Sequence, residues 1–267
     1  MIDEAQALQD WHTFIKTYQS RNDNIKFVIS GSSAALLFEG SNESLYGRHD
    51  MLNIYPLRFW QFVKMSKGIS NTKLAEITDK LPKSNLFASP NEYFEELRGI
   101  YNMINIHYPE VNNLIRTYLT AGGYPEYCSG AIDIARWQLR LVNDVVSSGL
   151  YRDIIKVFKI ESPKKLEQIL YYIAANSGQP FSYTSIGSTV GLNVETAANY
   201  VTYLEKAKFI IVQSVYSSNT AKTLRANKKL HVLDNGIRNA LICSIAVFPL
   251  LLFIFNKHKY IISHIFA

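Results

Sequence analysis

Two rhythms of apolar residues run along the chain: short unbroken runs closed by polar turns, and longer stretches in which apolar positions recur every three or four residues. The first rhythm occurs at Met1-Ile2, at Ile25-Lys26-Phe27-Val28-Ile29 and at Met51-Leu52-Asn53-Ile54-Tyr55, the last closed by Pro56. Runs of this kind predict buried parallel strands. Between the first two, Leu8, Trp11, Ile15 and Tyr18 mark a one-sided helix. Strand, helix, strand, helix, strand is the α/β order, in which ligands lie beyond the carboxyl ends of the strands. From 58 onward the helical rhythm dominates. A short helix is predicted over 58–63, and 66–91, with Pro82 and Pro90, holds at most one more near 72–81. Further helices are marked by Tyr93, Leu97, Ile100, Tyr101 and Ile104, and by Val111, Leu114, Ile115 and Tyr118, the second ended by Gly122-Gly123. A long helix over 132–158 follows, its stripe set by Ile134, Leu139, Leu141, Val142, Val145 and Val146.

A new module is predicted at Ser162-Pro163, a capping Ser and an N1 Pro that open a helix with Leu166, Ile169, Leu170 and Ile173 inward. Ser182 caps a second helix through Ile186 and Val190. Gly191 and Asn193 make the turn into a third, with Val194, Ala197, Val201 and Leu204 inward and Glu195, Thr196, Asn199, Thr202 and Tyr203 outward. Two β-like runs, 209–216 and 229–233, flank a polar loop with Lys222 and Arg225. Three helices and a hairpin are the winged-helix form of helix-turn-helix. Beyond 240 the chain turns almost wholly apolar, and Pro249 interrupts the run 241–255, which is shorter than the roughly 20 residues of a bilayer span.

With 267 residues and 48% hydrophobic composition, the chain is long enough for more than one core. Two cysteines, Cys128 and Cys243, in unlike contexts argue against a disulfide framework, and the six histidines are scattered with no metal-ligand spacing. The start carries acids in place of the basic-then-apolar run of a signal peptide, which points to the cytoplasm. Net charge is +6, and 163–233 holds eight Lys/Arg against three Glu, a surplus of five. That surplus is the footprint expected for phosphate contacts. Lys222, Arg225, Lys228 and Lys229 are the candidate phosphate contacts, with Asn199 and Thr202 on the outward helix face. That face carries Glu195 and no Arg, so base-specific readout is poorly provided for.

Six short motifs fall in a telling order: Ile2-Asp3-Glu4-Ala5-Gln6, Ile29-Ser30-Gly31-Ser32-Ser33, Leu45-Tyr46-Gly47-Arg48, Ile54-Tyr55-Pro56-Leu57-Arg58-Phe59, Gly122-Gly123-Tyr124-Pro125-Glu126 and Leu233-Asp234-Asn235-Gly236-Ile237-Arg238. In that order they resemble the AAA-type ATP-binding proteins of bacteria and archaea that end in a C-terminal domain of unknown function. The resemblance implies ATP and Mg²⁺ as cofactors. Asp3 would hold Mg²⁺ through water and Glu4 complete the Walker B pair, Ser32 would sense the γ-phosphate, and Arg48 would be an arginine finger or phosphate sensor. From the residues alone, Asp3-Glu4 also fits a solvated chain start, Gly31-Ser32-Ser33 an N-cap for a helix over 34–38, and Arg48 a solvated turn.

The expected architecture is therefore an α/β P-loop NTPase-like partial core of parallel strands over 1–65, an α-helical lid over 66–161, a winged-helix domain over 162–240 and an atypical hydrophobic tail over 241–267. No Gly-x-x-x-x-Gly-Lys-Ser/Thr occurs, so the amides and Lys that cradle the β- and γ-phosphates are not supplied. The expectation is a truncated or degenerate relative that alone neither binds ATP tightly nor hydrolyses it. The tail is expected to be a frameshifted or prematurely ended reading frame, ahead of a membrane anchor. The alternative function is a non-enzymatic winged helix that docks duplex DNA or a partner protein; a homo-oligomer is compatible with either.

Overall fold

The computed structural model describes residues 1–3, 5, 8, 11–21, 25–31, 50, 52–66, 94–95, 98–99, 102, 108–215, 218–219 and 226–243. In chain order its elements are α1 (Trp11–Arg21), α2 (Phe59–Met65), α3 (Tyr108–Ala121), α4 (Pro125–Cys128), α5 (Ile134–Arg140), α6 (Pro163–Ala175), β1 (Pro180–Phe181), α7 (Tyr183–Val190), α8 (Val194–Lys206), β2 (Ile210–Gln213) and β3 (Lys228–Val232). A last helix, α9, covers 235–243. Between α5 and α6 the backbone is π-wound over Leu141–Ser147 and Gly149–Ile154 and closes with the turn Ile155–Val157. The helices expected over 34–38 and near 72–81, and most of the one expected over 93–104, lie outside the described residues. The chain divides into two units. One takes in Met1–Asn53, Leu141–Leu233 and Arg238–Ala267, the other Ile54–Arg140 and Asp234–Ile237.

In the first unit, α6, α7 and α8 bury Leu166, Ile169, Leu170 and Ile173, then Ile186 and Val190, then Ala197, Val201 and Leu204. Each buried Leu, Ile or Val side chain stabilises the unit by about 1.5–3 kcal/mol. These are the inward positions expected, with two corrections. Val194 stays 48% exposed because it lies past the end of the stripe at the first helical residue, and Tyr200 is buried in addition. Ser182 accepts from the Ser185 amide at 3.1 Å, and Asn193 from the Thr196 amide at 2.7 Å, satisfying donors that an α-helix leaves free. Ser162 makes no side-chain cap, so α6 starts on Pro163 alone. The sheet is antiparallel in the order β1-β3-β2, with Ile210 opposite Val232 and Pro180 opposite Lys229. β1 is only two residues long, too short to show an alternation in sequence.

The π-wound stretch departs from the stripe expected at 3.6 residues per turn. Its buried residues are Leu141, Val146, Leu150 and Ile154, four or five apart. Winding by i→i+5 bonds takes more residues per turn than the α-helix, and this spacing keeps those four on one line. Val142 and Val145 fall only part-way inward, and Leu139, just before the stretch, is 64% exposed.

The parallel-strand core is present among the described residues as one bridge, Ile2 to Ile29. The Ile2 amide donates to Val28 O at 2.8 Å, and the Ser30 amide donates to Ile2 O at 2.9 Å. Ala5, Trp11 and Ile15 form a small core against Ile2, Phe27 and Ile29. The third predicted strand is not formed at 52–55. Leu52 and Ile54 are exposed there, and the next residue but two, Leu57, gives its amide to Gly123 O at 2.6 Å.

In the second unit α2 packs on α3 and α4, and α3 also meets α5. The Tyr118 ring stands edge-on to Phe59 and Phe62 at 5.6 and 5.3 Å. Trp137 is buried against Tyr124 and Tyr127. No helix among the described residues is long and apolar enough to cross a membrane; the tail from 244 lies outside them.

Candidate functional site

At the carboxyl end of the Ile2–Ile29 bridge, Asp3 is exposed and accepts a hydrogen bond from the Ser30 hydroxyl. The Ala5 amide donates to Ser30 O at 3.1 Å, so both backbone groups of Ser30 are tied to the segment that carries Asp3. The hydroxyl brought to the acid is that of Ser30. Ser32 lies outside the described residues, as do Glu4 and Arg48. Among the described residues no group of three or more His, Cys, Asp and Glu could hold a metal ion. A single carboxylate suits Mg²⁺, which keeps several waters and takes one or two carboxylates plus phosphate oxygens. The donor set fits the metal side of a nucleotide site, and the phosphate-cradling amides are not among these residues.

In the first unit Asn199 and Thr202 lie on the exposed face of α8, and the Thr202 hydroxyl donates to Ala198 O of its own helix at 2.9 Å. Tyr203, expected outward, is instead stacked on Phe158 with ring centroids 4.0 Å apart and planes 13° apart. The Lys206 ammonium stands 5.3 Å from the Phe158 ring centroid, a cation–π distance. Glu205 accepts from the Val212 amide at 3.0 Å. The second half of α8 is therefore engaged by its own chain. Lys228 is half-buried and Lys229 exposed, both on β3 opposite β1. Lys222 and Arg225 lie outside the described residues.

The second unit holds a feature that sequence reasoning missed. Asp234 is only 4% exposed. One of its carboxylate oxygens accepts from the Gly123 amide at 2.7 Å and the other from the Ile237 amide at 3.0 Å, the latter an N-cap of α9. The Gly123 carbonyl accepts from the Leu57 amide, and Leu57 O in turn accepts from the Tyr118 hydroxyl at 2.8 Å. The Trp137 indole N–H donates to Ala121 O at 2.8 Å. Residues of three motifs far apart in sequence, at 54–59, 122–126 and 233–238, meet in this clasp. The glycines are required by it. A Cβ on Gly123 would overlap Leu57 O, one on Gly236 would overlap Ala121 O, and one on Gly122, at φ 83°, would overlap the Asp234 carboxylate.

Burial pushes the Asp234 carboxyl above the usual carboxylate range, and the amides of Gly123, Ile237 and Gly236 offset part of that rise. Burial, and then the Asp234 charge, push the Tyr118 and Tyr124 phenols up as well. Bonded to backbone amides from two separate segments, the Asp234 carboxylate holds the fold together here. Its sequence signal was the Asp-Asn-Gly opening of an apolar helical run, an N-cap pattern.

A family model described as an AAA domain matches residues 1–63, and one described as a domain of unknown function, DUF8612, matches residues 112–246. The chain is 25% identical over 246 residues to Uncharacterized protein MJ1637 of Methanocaldococcus jannaschii, covering 90% of this chain and 47% of that protein. It is 23% identical over 245 residues to an uncharacterized protein of Haemophilus influenzae, covering 89% and 51%. The chain spans about half the length of the curated relatives it matches. The solved S. aureus MepR-DNA complex is similar over 43% of this chain and 86% of that one, at 16% identity and a TM-score of 0.26, too low to carry weight. Residues 1–63 are thus AAA-like, and with just over half of its 267 residues under the second match the chain belongs to the family of the DUF8612 domain of unknown function.

Proposed function

We propose that the chain carries the metal side of an AAA-type nucleotide site, with Asp3 as the acid that holds Mg²⁺ through water. The observation behind this is the parallel bridge of Ile2 and Ile29, which ends on Asp3 inside the span matched by the AAA domain. Bound Mg²⁺-ATP supplies the phosphoryl group and the charge on it. Glu4 would then polarise water, Ser32 sense the γ-phosphate and Arg48 meet the developing charge. ATP binding needs a phosphate-cradling loop in addition to these residues, and turnover by the 267 residues alone is not expected. Fusing a P-loop segment ahead of Met1 and titrating with Mg²⁺-ATP tests this. The fused protein should bind, and Asp3→Ala should weaken binding at least about tenfold, by analogy with losses at metal-ligand shells. Micromolar ATP binding that ignores Asp3→Ala would overturn the reading.

The element order α6-β1-α7-α8-β2-β3, with its β1-β3-β2 sheet, supports a second reading, a winged helix that docks duplex DNA or a partner protein. Changing Lys222, Arg225, Lys228 and Lys229 together to Ala should weaken duplex binding and flatten its salt slope by about 0.9 for each phosphate no longer neutralised. If affinity and slope both stayed at wild-type values, these residues would not touch DNA.

A further inference from the structure

We propose that Ser30 is a positioning residue for the metal acid Asp3; this rests on the nucleotide-site reading above. Three observations carry it. The Ser30 hydroxyl donates to Asp3 Oδ1 across 27 positions of sequence. Its amide and carbonyl are both used, by Ile2 O at 2.9 Å and the Ala5 amide at 3.1 Å, so the residue has no backbone freedom of its own. Beneath it, Ala5, Trp11 and Ile15 pack with Ile2 and Ile29 and hold the two strand ends in register.

A serine held this way does two things for an exposed carboxylate. By donating to Oδ1 it fixes the plane of the carboxylate, which would otherwise rotate freely, and among the described residues it is the only group bonded to Asp3. The hydroxyl also keeps lone pairs with which to accept from a metal-bound water. The ligand class is a hydrated divalent cation of the kind that accompanies a nucleoside triphosphate. Outer partners that orient a ligating carboxylate in this way contribute measurably to metal affinity.

The test uses the full 267-residue chain and Mn²⁺ alone as probe, read as paramagnetic broadening of individual backbone amides. In the wild type the amides of Asp3, Ala5 and Ser30 should broaden together and saturably. Ser30→Thr and Ser30→Val have the same shape and differ in the hydroxyl. The Thr form should keep wild-type affinity within about twofold, whereas the Val form should weaken it about tenfold. Equal Mn²⁺ affinity in the Thr and Val forms would overturn the role of Ser30 while leaving Asp3 as a metal acid. Absence of broadening at Asp3 in the wild type would remove the metal reading itself, and with it this inference.

Discussion

Replacing Asp234 with alanine strips the acceptor from three backbone amides, those of Gly123, Gly236 and Ile237, in surroundings where the side chain is 4% exposed. A buried donor left without a partner costs about 1–3 kcal/mol. The simple sum is reduced because the substitution also spares the desolvation of a carboxylate, the largest influence on its proton affinity. A net loss of about 3 kcal/mol is expected, a large share of a typical domain's roughly 5–15 kcal/mol. Trp137 is a fitting probe, because it is buried in the same unit and its indole bonds to Ala121 O, two residues before Gly123. In a Trp11→Phe, Trp60→Phe background, urea unfolding followed by Trp137 fluorescence should shift its midpoint down by about 1–3 M at ordinary m-values. A loss under about 1 kcal/mol would refute the clasp, since the three amides would then have found other partners at no cost.

The same site has a pH signature. The folded carboxyl of Asp234 lies above its ordinary value, so its stabilising contribution is full below the unfolded pKa of about 3.9 and is lost as pH rises through the folded value. The stability of wild type relative to Asp234→Asn should therefore grow as pH falls through that window, and urea titrations between about pH 7 and 4 that ran the other way would contradict it. Gly123→Ala and Gly236→Ala should each destabilise by about 3 kcal/mol or more, because the added Cβ meets backbone carbonyl oxygens that cannot step aside. Gly130→Ala, with open space around it and φ 69°, should cost only about 1–2 kcal/mol, which thermal melts of the three variants would separate. Gly149→Ala places a Cβ 2.6 Å from Phe209 Cζ, and the smaller ring-free side chain of Phe209→Leu should recover part of the stability in the double variant's melt.

Much of the first unit was legible because its helices obey simple rules. Ser182 and Asn193 cap where capping residues should stand, and Leu166, Ile169, Leu170 and Ile173 keep the 3.6-residue period. Legibility ended where the period or the range changed. Leu139 was assigned inward by a rule for α-helices, in a region whose winding then changes class. Tyr203 was assigned outward because no local pattern announces Phe158, 45 positions earlier, as its stacking partner. The clasp was visible only as three glycine-bearing or proline-bearing motifs without a role, because its bonds span 111 residues from Gly123 to Asp234. At the nucleotide-side candidate, Asp3 could be named from its place at a strand end. That Ser30 is bonded to it needed the register of the Ile2–Ile29 bridge.

The π-wound stretch behaves as a rotary register. With i→i+5 winding, Leu141 and Ile154 share one side of the helix, both about 1% exposed or less. Were the same residues wound as an α-helix at about 100° per residue, the thirteen steps between them would turn Ile154 about 220° away from Leu141. The swing would carry Phe158 with it and break its stack on Tyr203. A change of winding in this one segment, with no hinge and no cut in the chain, would thus take the ring partner from Tyr203 while leaving Glu205 bonded to the Val212 amide.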